Sequence, residues 1–171
     1  MKTIVITGSS GKFCGGFDIG NLRRLQGGVV QNGGQFELTD VLVRIMTELF
    51  EDAKKPTVAA IDGLALDGGL EIAMTCHGRI VAPQAQLQLG IIPGLDGIQR
   101  LPCLVGLSKA LQLTLLSKLT KSEVASELGL VDAIVPPVEL LNTACRWALK
   151  TAEICRNLKA LGKKSFPALE S

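Results

Sequence analysis

An α/β fold is predicted for this chain, because short apolar runs of strand length alternate with amphipathic segments of helical period. The 171 residues are enough for one domain with a sizeable core, and 47% of them are hydrophobic. Only 4% are aromatic, so the core is built mainly from Leu, Ile, Val, Ala and Gly. Small and aliphatic side chains of this kind suit close packing of helices on a sheet.

The formal net charge of +2 gives no argument for binding nucleic acid or a membrane surface. No apolar run is long enough to span a bilayer, and the start has no signal-peptide layout. The final PALES is not a peroxisomal address of the Ser-Lys-Leu type. The cysteines are odd in number, widely spaced and without a CxxC pair, which predicts reduced, mostly buried thiols of an intracellular protein: Cys14, Cys76, Cys103, Cys145 and Cys155.

The first predicted element is a buried strand over residues 3 to 7 (TIVIT), followed by a glycine-containing loop. A central-type strand normally has neighbours supplied earlier in the sequence, so we expect the start of the chain to be truncated. The following GSSGK lacks the spacing of a phosphate loop, and Phe13 stands where Ser or Thr is needed. Gly8 and Gly11 also fail the GxGxxG spacing, so a nucleotide-binding origin is disfavoured.

The next segment, FCGGFDI (residues 13 to 19), is predicted to form a tight loop with exposed backbone amides. Such a loop could donate to an anion and offer a surface to a flat ring. The alternative is an ordinary turn capped by Asp18. A flexible loop over residues 26 to 35 then leads to an amphipathic helix over residues 38 to 50, whose apolar stripe belongs to the core.

The chain is organised around residues 56 to 75, PTVAAIDGLALDGGLEIAMT, which predict a buried strand, a glycine-rich turn and the start of a helix. Small residues at a helix start leave backbone N–H groups uncovered, and the helix dipole adds positive potential there. The turn at Gly68 and Gly69 is therefore suited to holding a negative oxygen, including a thioester enolate, with Glu71 within one turn of it. The alternatives are tight packing for the glycines and a dipole partner for Glu71.

Short strands are predicted at residues 78 to 82 and 86 to 89, and again at DAIV. Helices are predicted around residues 98 to 116 and 121 to 128. A long amphipathic helix over residues 138 to 155 is expected to bury Leu140, Leu141, Ala144, Cys145, Ala148 and Leu149. We divide the chain into a core over residues 1 to 136 and a C-terminal helical segment over residues 137 to 171.

His77 is the only histidine. No second histidine or CxxC pair completes a metal-ligand spacing, so no metal site is expected, and a catalytic triad would depend on His77 alone. A serine hydrolase and a metalloenzyme are therefore poor fits. We predict that His77 is a helix-end or core residue.

Four ordered motifs together resemble the crotonase (enoyl-CoA hydratase/isomerase) family over nearly the whole chain: IVITGSSGKFCGGFDI, KPTVAAIDGLALDGGLEIAMTCHGRIVAP, LGIIPGLDGIQRLPCLVGLSKALQL and ELGLVDAIVPPVEL. The likeness is closest to the hydratase/isomerase part of plant peroxisomal β-oxidation multifunctional proteins. It implies a crotonase-like spiral of ββα turns, truncated at the N-terminus. It further implies acyl-CoA or enoyl-CoA as substrate without another cofactor, association into trimers, and a peroxisomal location.

The resemblance also implies roles for individual residues. The thioester oxygen would lie between the backbone N–H groups of Phe17 and Gly68. The adenine of CoA would lie against the loop from Cys14 to Ile19, which includes Asp18. Of the two glutamates with which family hydratases add water, the one that positions the water maps to Glu71.

The sequence departs from the family pattern at three places. The second glutamate, which exchanges the proton at C2, normally sits in a Pro-Glu motif, but this chain reads APQAQLQLGIIP and has no carboxylate between Glu71 and Asp96. Asp67 replaces the first glycine of a usual GGG, and Asp96-Gly97-Ile98 replaces Gly-Gly-Thr. Relatives that isomerise dienoyl-CoA use an aspartate in the equivalent loop, but Asp96 does not align with it. A negative Asp67 beside the Gly68 amide is expected to oppose a developing enolate unless it is neutralised or points to solvent.

These observations leave three hypotheses of function. The first is an acyl-CoA-binding protein related to enoyl-CoA hydratases, with weak turnover because one carboxylate is missing. The second is an inactive subunit or truncated product that binds only CoA or a partner protein. The third, a nucleotide-dependent oxidoreductase, requires an effect of NAD(H) on thermal stability.

Overall fold

The computed structural model of the chain describes residues 3–16, 55–90 and 96–160, with side chains described as far as residue 157. The strands are β1 Ile4–Thr7, β2 Lys12–Cys14, β3 Thr57–Ile61, β4 Leu64–Leu66, β5 Gly78–Val81, β6 Gln86–Gln88, β7 Thr120–Lys121 and β8 Ala133–Ile134. The helices are α1 Gly68–Thr75, α2 Gly97–Val105, α3 Leu107–Leu116, α4 Ser122–Glu127 and α5 Pro137–Ala160. The predicted loop over residues 26 to 35 and helix over residues 38 to 50 lie outside the described residues.

From β1 to β6 consecutive strands belong alternately to two sheets, after which β7 joins the second sheet and β8 the first. The first sheet has the order β1-β3-β5-β8 and is parallel throughout. The second has the order β2-β4-β6-β7, in which β2, β4 and β6 are parallel and β7 is antiparallel to β6. Each pass of the chain therefore adds one strand to each sheet, which generates a spiral. The α/β class and the parallel sheets agree with the predicted fold.

Strand β3 is covered on both of its faces. All five of its residues are buried. Ala59 and Ile61 belong to the core between the sheets, whereas Val58 and Ala60 pack against helix α5. This explains why β3 is a continuous apolar run rather than an alternating one.

Helix α5 packs on the first sheet through Leu140, Ala144 and Ala148, which are spaced by one helical turn. The apolar face predicted for this helix was too wide. Leu141 and Leu149 are each 53% exposed, and Cys145 is also exposed. The buried stripe instead continues through two threonines, Thr143 and Thr151. The hydroxyl of Thr151 satisfies its hydrogen bond by donating to the carbonyl of Trp147 at 2.9 Å.

Three expectations about strands are corrected. Strand β1 is half-buried rather than buried, because among the described strands it lies at the edge of the first sheet. Residues 12–14, of which the last two were assigned to a loop, form strand β2, which pairs with β4. Strands β4 and β7 were not predicted, because runs of three and two residues carry too little local pattern. The predicted helical region 98–116 is divided at Gly106, which has a φ of 79°.

An ion pair between a buried arginine and a more exposed aspartate joins strand β5 to the segment that leads into β8. Arg79 is 6% exposed and donates to the carbonyl oxygens of Leu130 at 2.8 Å and Cys76 at 2.9 Å. Its guanidinium lies 3.3 Å from the carboxylate of Asp132, which also accepts the Arg79 backbone N–H at 2.6 Å. Since each hydrogen bond of the guanidinium is directed at a fixed acceptor, this pair stabilises the register between β5 and β8.

Candidate functional site

The candidate site is built where strand β4 ends and helix α1 begins. Asp67 connects them with φ 50° and ψ −127°, a conformation that residues with a Cβ rarely adopt. Its backbone N–H donates to the carbonyl of Gln88 at 2.8 Å, and this bond ties the turn to the end of β6. Helix α1 then begins at Gly68, as predicted, with Glu71 in its first turn.

Two glycines allow the segment after β2 to approach the start of α1 closely. A Cβ at Gly69 would overlap the carbonyl oxygen of Cys14, so no larger residue fits there without a shift. A Cβ at Gly16 would lie 3.2 Å from the backbone nitrogen of Gly68. The residue that precedes Phe17 therefore lies beside the Gly68 amide. Gly69 therefore serves close packing, one of the two interpretations that the sequence left open for the Gly68-Gly69 pair, while the donor role of Gly68 stays a prediction.

Three of the predicted site residues are not among the residues that the structure describes. Phe17, Asp18 and Ile19 belong to residues 17–54, about which the structure gives no information. Cys14 ends β2 and is half-buried, and Gly68 is buried at the first position of α1. The pairing of the Phe17 and Gly68 amides around one oxygen thus stays a prediction.

Glu71 is a buried carboxylate with a specific partner that the sequence did not reveal. Its residue is only 1% exposed, and the backbone N–H of Gly97 donates to its Oε1 at 2.9 Å. Gly97 is the first residue of α2, so the positive end of that helix dipole faces the carboxylate. A Cβ at Gly97 would lie 2.7 Å from the same oxygen. Absence of a side chain at residue 97 is therefore what permits this contact.

The sequence provided little indication that Gly97 contacts Glu71, because Gly97 was recognisable only as a glycine near a predicted helix start. Asp96, which precedes it, adopts a left-handed conformation with φ 59° and ψ 22° and is exposed. The backbone carbonyl of Asp96 accepts the N–H groups of Gln99 at 3.0 Å and Arg100 at 3.2 Å. Its carboxylate makes no capping bond to the helix. The described role of Asp96 is therefore to begin α2.

The side chain of Asp67 lies among glycines at the carboxyl ends of three neighbouring strands. A Cβ at Gly90, just after β6, would overlap Oδ1 of Asp67. A Cβ at Gly16, just after β2, would lie 3.1 Å from Oδ2. Since β4 lies between β2 and β6, the carboxylate occupies the centre of this sheet edge. The carboxyl ends of parallel strands are where α/β proteins commonly place their binding sites.

His77 contacts the start of β3 immediately after helix α1. The Thr57 backbone N–H donates to its Nδ1 at 3.2 Å, and the Thr57 hydroxyl lies 3.1 Å from the same nitrogen. Burial of the ring, followed by the charge of Arg79, lowers the pKa of His77 from its ordinary value of 6.5. A neutral imidazole is required for Nδ1 to accept the amide proton. His77 is thus a helix-end residue that holds β3, in agreement with the sequence-based interpretation.

The thiols are free, but fewer of them are buried than predicted. Cys76 alone is buried, Cys14 and Cys155 are half-buried, and Cys103 and Cys145 are exposed. Burial raises the pKa of the Cys76 thiol from 9.0, only partly offset by a hydrogen bond with Thr57. The expectation of mostly buried cysteines fails because Cys103 and Cys145 lie on the outer faces of α2 and α5.

Two grooves in the described part of the chain lie away from Glu71. The larger, about 770 Å³, runs between the end of α4 and the middle of α5 and includes Leu128, Trp147 and Thr151 in its lining. The other, about 460 Å³, lies beside α3. Neither contains a predicted site residue. No helix of the described residues combines the length and the apolar character needed to cross a membrane.

The chain is similar to known proteins over most of its length. The profile of a family described as enoyl-CoA hydratase/isomerase matches residues 1–169. Among curated proteins, the glyoxysomal fatty acid beta-oxidation multifunctional protein MFP-a of Cucumis sativus is 59% identical over 158 residues, which cover 90% of this chain. The peroxisomal fatty acid beta-oxidation multifunctional protein MFP2 of Arabidopsis thaliana is 56% identical over 154 residues, or 87% of this chain. The matched region spans only 21% of the length of each of these two relatives.

Solved structures agree with this likeness. The enoyl-CoA hydratase of Bacillus anthracis superposes with a TM-score of 0.76 at 34% identity, covering 87% of this chain and 58% of that one. The enoyl-CoA hydratase of Thermoplasma volcanium superposes with a TM-score of 0.77 at 26% identity, covering 93% and 64%. The arrangement of two sheets and their helices is therefore shared with enzymes of that name.

Proposed function

Because this chain belongs to the enoyl-CoA hydratase/isomerase family, we propose that it binds acyl-CoA thioesters and that Glu71 activates water for addition to an enoyl group. The observation that carries this proposal is the buried Glu71 carboxylate, which is held by Gly97 in the first turn of α1. A carboxylate whose orientation is fixed in this way can position a water molecule for addition. The fold is the crotonase-like spiral of that family.

The thioester oxygen is proposed to accept hydrogen bonds from the N–H groups of Phe17 and Gly68. Gly68 begins a helix, where backbone N–H groups lack intrahelical partners and the dipole favours negative charge. The approach of Gly16 to the Gly68 nitrogen supports this assignment, because Phe17 follows directly. Cys14, Asp18 and Ile19 are proposed to line the adenine of CoA. The thioester is the substrate, and the proposal requires no further cofactor.

Turnover is proposed to be weak. The sequence between Glu71 and Asp96 contains no carboxylate where the family pattern has its second glutamate. A positioned acid or base typically contributes ~10² to 10⁴ in rate, so its replacement by a less suitable group slows hydration far more than binding. We therefore expect a protein that retains affinity for enoyl-CoA but hydrates it slowly.

The family context also suggests a cellular role. Since its curated relatives are fatty acid β-oxidation proteins of peroxisomes and glyoxysomes, we propose a role in that pathway and location. We also propose association with further copies into a trimer, as family resemblance implies, and an apolar stripe on α3 supports an association surface. Leu107, Leu111 and Leu115 recur every four residues and are 65%, 50% and 79% exposed. Light scattering on the purified protein tests this association.

The alternative function is binding of CoA or a partner protein without catalysis. The observation that favours it is the same missing carboxylate, since a site with Glu71 alone could retain affinity and lose chemistry. The two functions differ in turnover and not in binding. A calorimetric titration alone therefore does not separate them.

The deciding experiment combines crotonyl-CoA hydration with calorimetry using butyryl-CoA, which cannot be hydrated. Binding of butyryl-CoA together with slow hydration that disappears in Glu71→Gln supports the first function. Gln99→Ala serves as the control, because Gln99 lies on the same helix as Gly97 and is exposed. Binding without any hydration supports the alternative. Absence of binding contradicts both, and hydration unaffected by Glu71→Gln contradicts the role of Glu71.

A further inference from the structure

Asp67 has a strained backbone conformation at the sheet edge that carries the candidate site. Its φ of 50° and ψ of −127° lie outside the left-handed region that Asp and Asn commonly tolerate. A strained residue persists only where the surrounding structure holds it, and such residues concentrate at functional sites. The conformation is fixed from both sides, because the Asp67 N–H donates to Gln88 and its carbonyl accepts the Glu71 N–H at 3.1 Å.

Two glycines, Gly16 and Gly90, leave the space that the Asp67 side chain occupies. Gly90 contacts Oδ1 so closely that any Cβ would overlap it, and Gly16 leaves space for Oδ2 and the Asp67 Cβ. Glycines after β2 and β6 thus make room for a carboxylate that extends from the strand between them. This carboxylate is half-buried, and within the described ranges it has no hydrogen-bond partner. Because this half-buried carboxylate accepts no hydrogen bond from the described residues, it is open to solvent and to a substrate that binds at the same sheet edge.

The Gly68 amide shares this location. A Cβ added at Gly16 would lie 3.1 Å from Oδ2 of Asp67 and 3.2 Å from the backbone nitrogen of Gly68. Thus the carboxylate of Asp67 and the amide proposed to hold the thioester oxygen both border Gly16. In a thioester the carbon C2 is bonded directly to the carbonyl carbon. A carboxylate near the carbonyl oxygen is therefore in the region where a C2 proton is added or removed.

From this geometry we infer that Asp67 is a catalytic residue, the acid–base group that exchanges the C2 proton, while Glu71 acts on water. This inference rests on the proposed function and names the second carboxylate of that same site. The two groups extend from one turn of chain, Asp67 from the end of β4 and Glu71 from the first turn of α1. The second carboxylate is therefore supplied by the residue after β4, and it contacts Gly90, two residues after the end of β6.

The steps balance for addition of one water molecule. The water oxygen bonds to C3 while Glu71 accepts the water proton, and the electron pair of the C2–C3 double bond takes a proton from the Asp67 carboxylic acid. The proton then passes from Glu71 to Asp67 through solvent. In the reverse direction Asp67 becomes neutral as it removes the C2 proton, so its charge does not oppose the enolate that forms beside Gly68. This removes the conflict expected from a permanently negative Asp67.

Exchange of the C2 protons of butyryl-CoA in D₂O tests this assignment, because the exchange involves proton transfer at C2 and no addition of water. Asp67→Asn is compared with Asp96→Asn, since Asp96 is likewise an aspartate with positive φ immediately before a helix but is exposed. We expect both exchange and hydration to fall ~10²-fold or more in Asp67→Asn and to persist in Asp96→Asn. Calorimetric affinity for butyryl-CoA is expected to persist in both variants, which separates proton transfer from folding and binding.

Exchange that is unchanged or faster in Asp67→Asn overturns the inference. An unaltered protein that binds butyryl-CoA but neither exchanges its C2 protons nor hydrates crotonyl-CoA also overturns it, while acyl-CoA binding stands. Failure to bind butyryl-CoA overturns the proposed function itself, and this inference with it. Loss of binding in Asp67→Asn alone assigns the residue to substrate affinity and contradicts a role in proton transfer.

Discussion

Oε1 of Glu71 accepts the backbone N–H of Gly97 at 2.9 Å, so the first turn of α1 is joined to the first residue of α2. The contact connects two helices that the chain separates by strands β5 and β6. It also fixes the orientation of a carboxylate that is almost completely buried. Changes at either residue should therefore affect chemistry more than affinity.

Gly97→Ala tests this contact. The new Cβ would lie 2.7 Å from Oε1, so the carboxylate must move. Misplacement of a catalytic group by about 1 Å can cost ~10² in rate, and we expect hydration to fall by this order while butyryl-CoA affinity is retained. Steady-state kinetics and calorimetry measure the two effects, with Gln99→Ala as the control on the same helix. Full turnover in Gly97→Ala would show that the position of Glu71 is not critical.

Gly69→Ala tests the close approach of α1 to β2. A Cβ at residue 69 would overlap the Cys14 carbonyl oxygen, which belongs to the backbone and cannot rotate away. We expect destabilisation of ~1 to 3 kcal/mol, as is usual for overpacking, and weaker binding of CoA thioesters. Urea denaturation and calorimetry check these outcomes. Unchanged stability would mean that the two segments can separate without cost.

Asp67→Gly is expected to stabilise the fold. Glycine adopts the observed φ of 50° and ψ of −127° without a Cβ clash, and strain at such positions costs of order 1 to 3 kcal/mol. Since glycine also makes the unfolded chain more flexible, we expect a net gain of about 1 kcal/mol. Asp96→Gly should gain less, because its left-handed conformation is better tolerated. A loss of stability in Asp67→Gly would contradict the assignment of strain.

Stability should decrease as the pH falls below the ordinary histidine pKa. The folded-state pKa of His77 is lowered, so the neutral form is favoured in the fold. The stabilisation is therefore fully present above pH 6.5, the unfolded-state value, and is lost as the pH falls toward the folded-state value. Protonation of Nδ1 would also end its acceptance of the Thr57 N–H.

Urea denaturation between about pH 7.5 and about pH 5 measures this dependence, with His77→Asn as the matched variant. Asparagine offers an acceptor oxygen but does not titrate, so its stability should vary less over this range. An identical pH dependence in the two proteins would exclude His77 as the cause.

The cysteines should differ in reactivity. Burial raises the pKa of Cys76, so little thiolate is present and the sulfur is inaccessible, whereas Cys103 and Cys145 are exposed. We expect a thiol reagent to modify Cys103 and Cys145 rapidly in the folded protein and Cys76 only after denaturation. Mass spectrometry of the labelled peptides identifies the order. Early modification of Cys76 would indicate local opening at the end of α1.

Strands and helices were predictable where their own residues carry the pattern. The run from Val58 to Ile61 predicted β3, and paired glycines before Leu70 predicted the start of α1, because both signals are local. Strand β4 escaped prediction because its three residues become a strand only through pairing with β2 and β6. The burial expected for β1 was wrong for a similar reason, since its position at a sheet edge depends on its neighbours.

By itself, the sequence determined the family, the start of α1 and the presence of Glu71 in its first turn, since motif order and short-range spacing are written in consecutive residues. Only the tertiary structure decided that the Gly97 amide holds Glu71 and that Gly16 and Gly90 enclose the Asp67 carboxylate. These partners are distant along the chain and meet because of strand order and register. Contacts of this kind depend on how the spiral packs, which no local pattern of residues specifies.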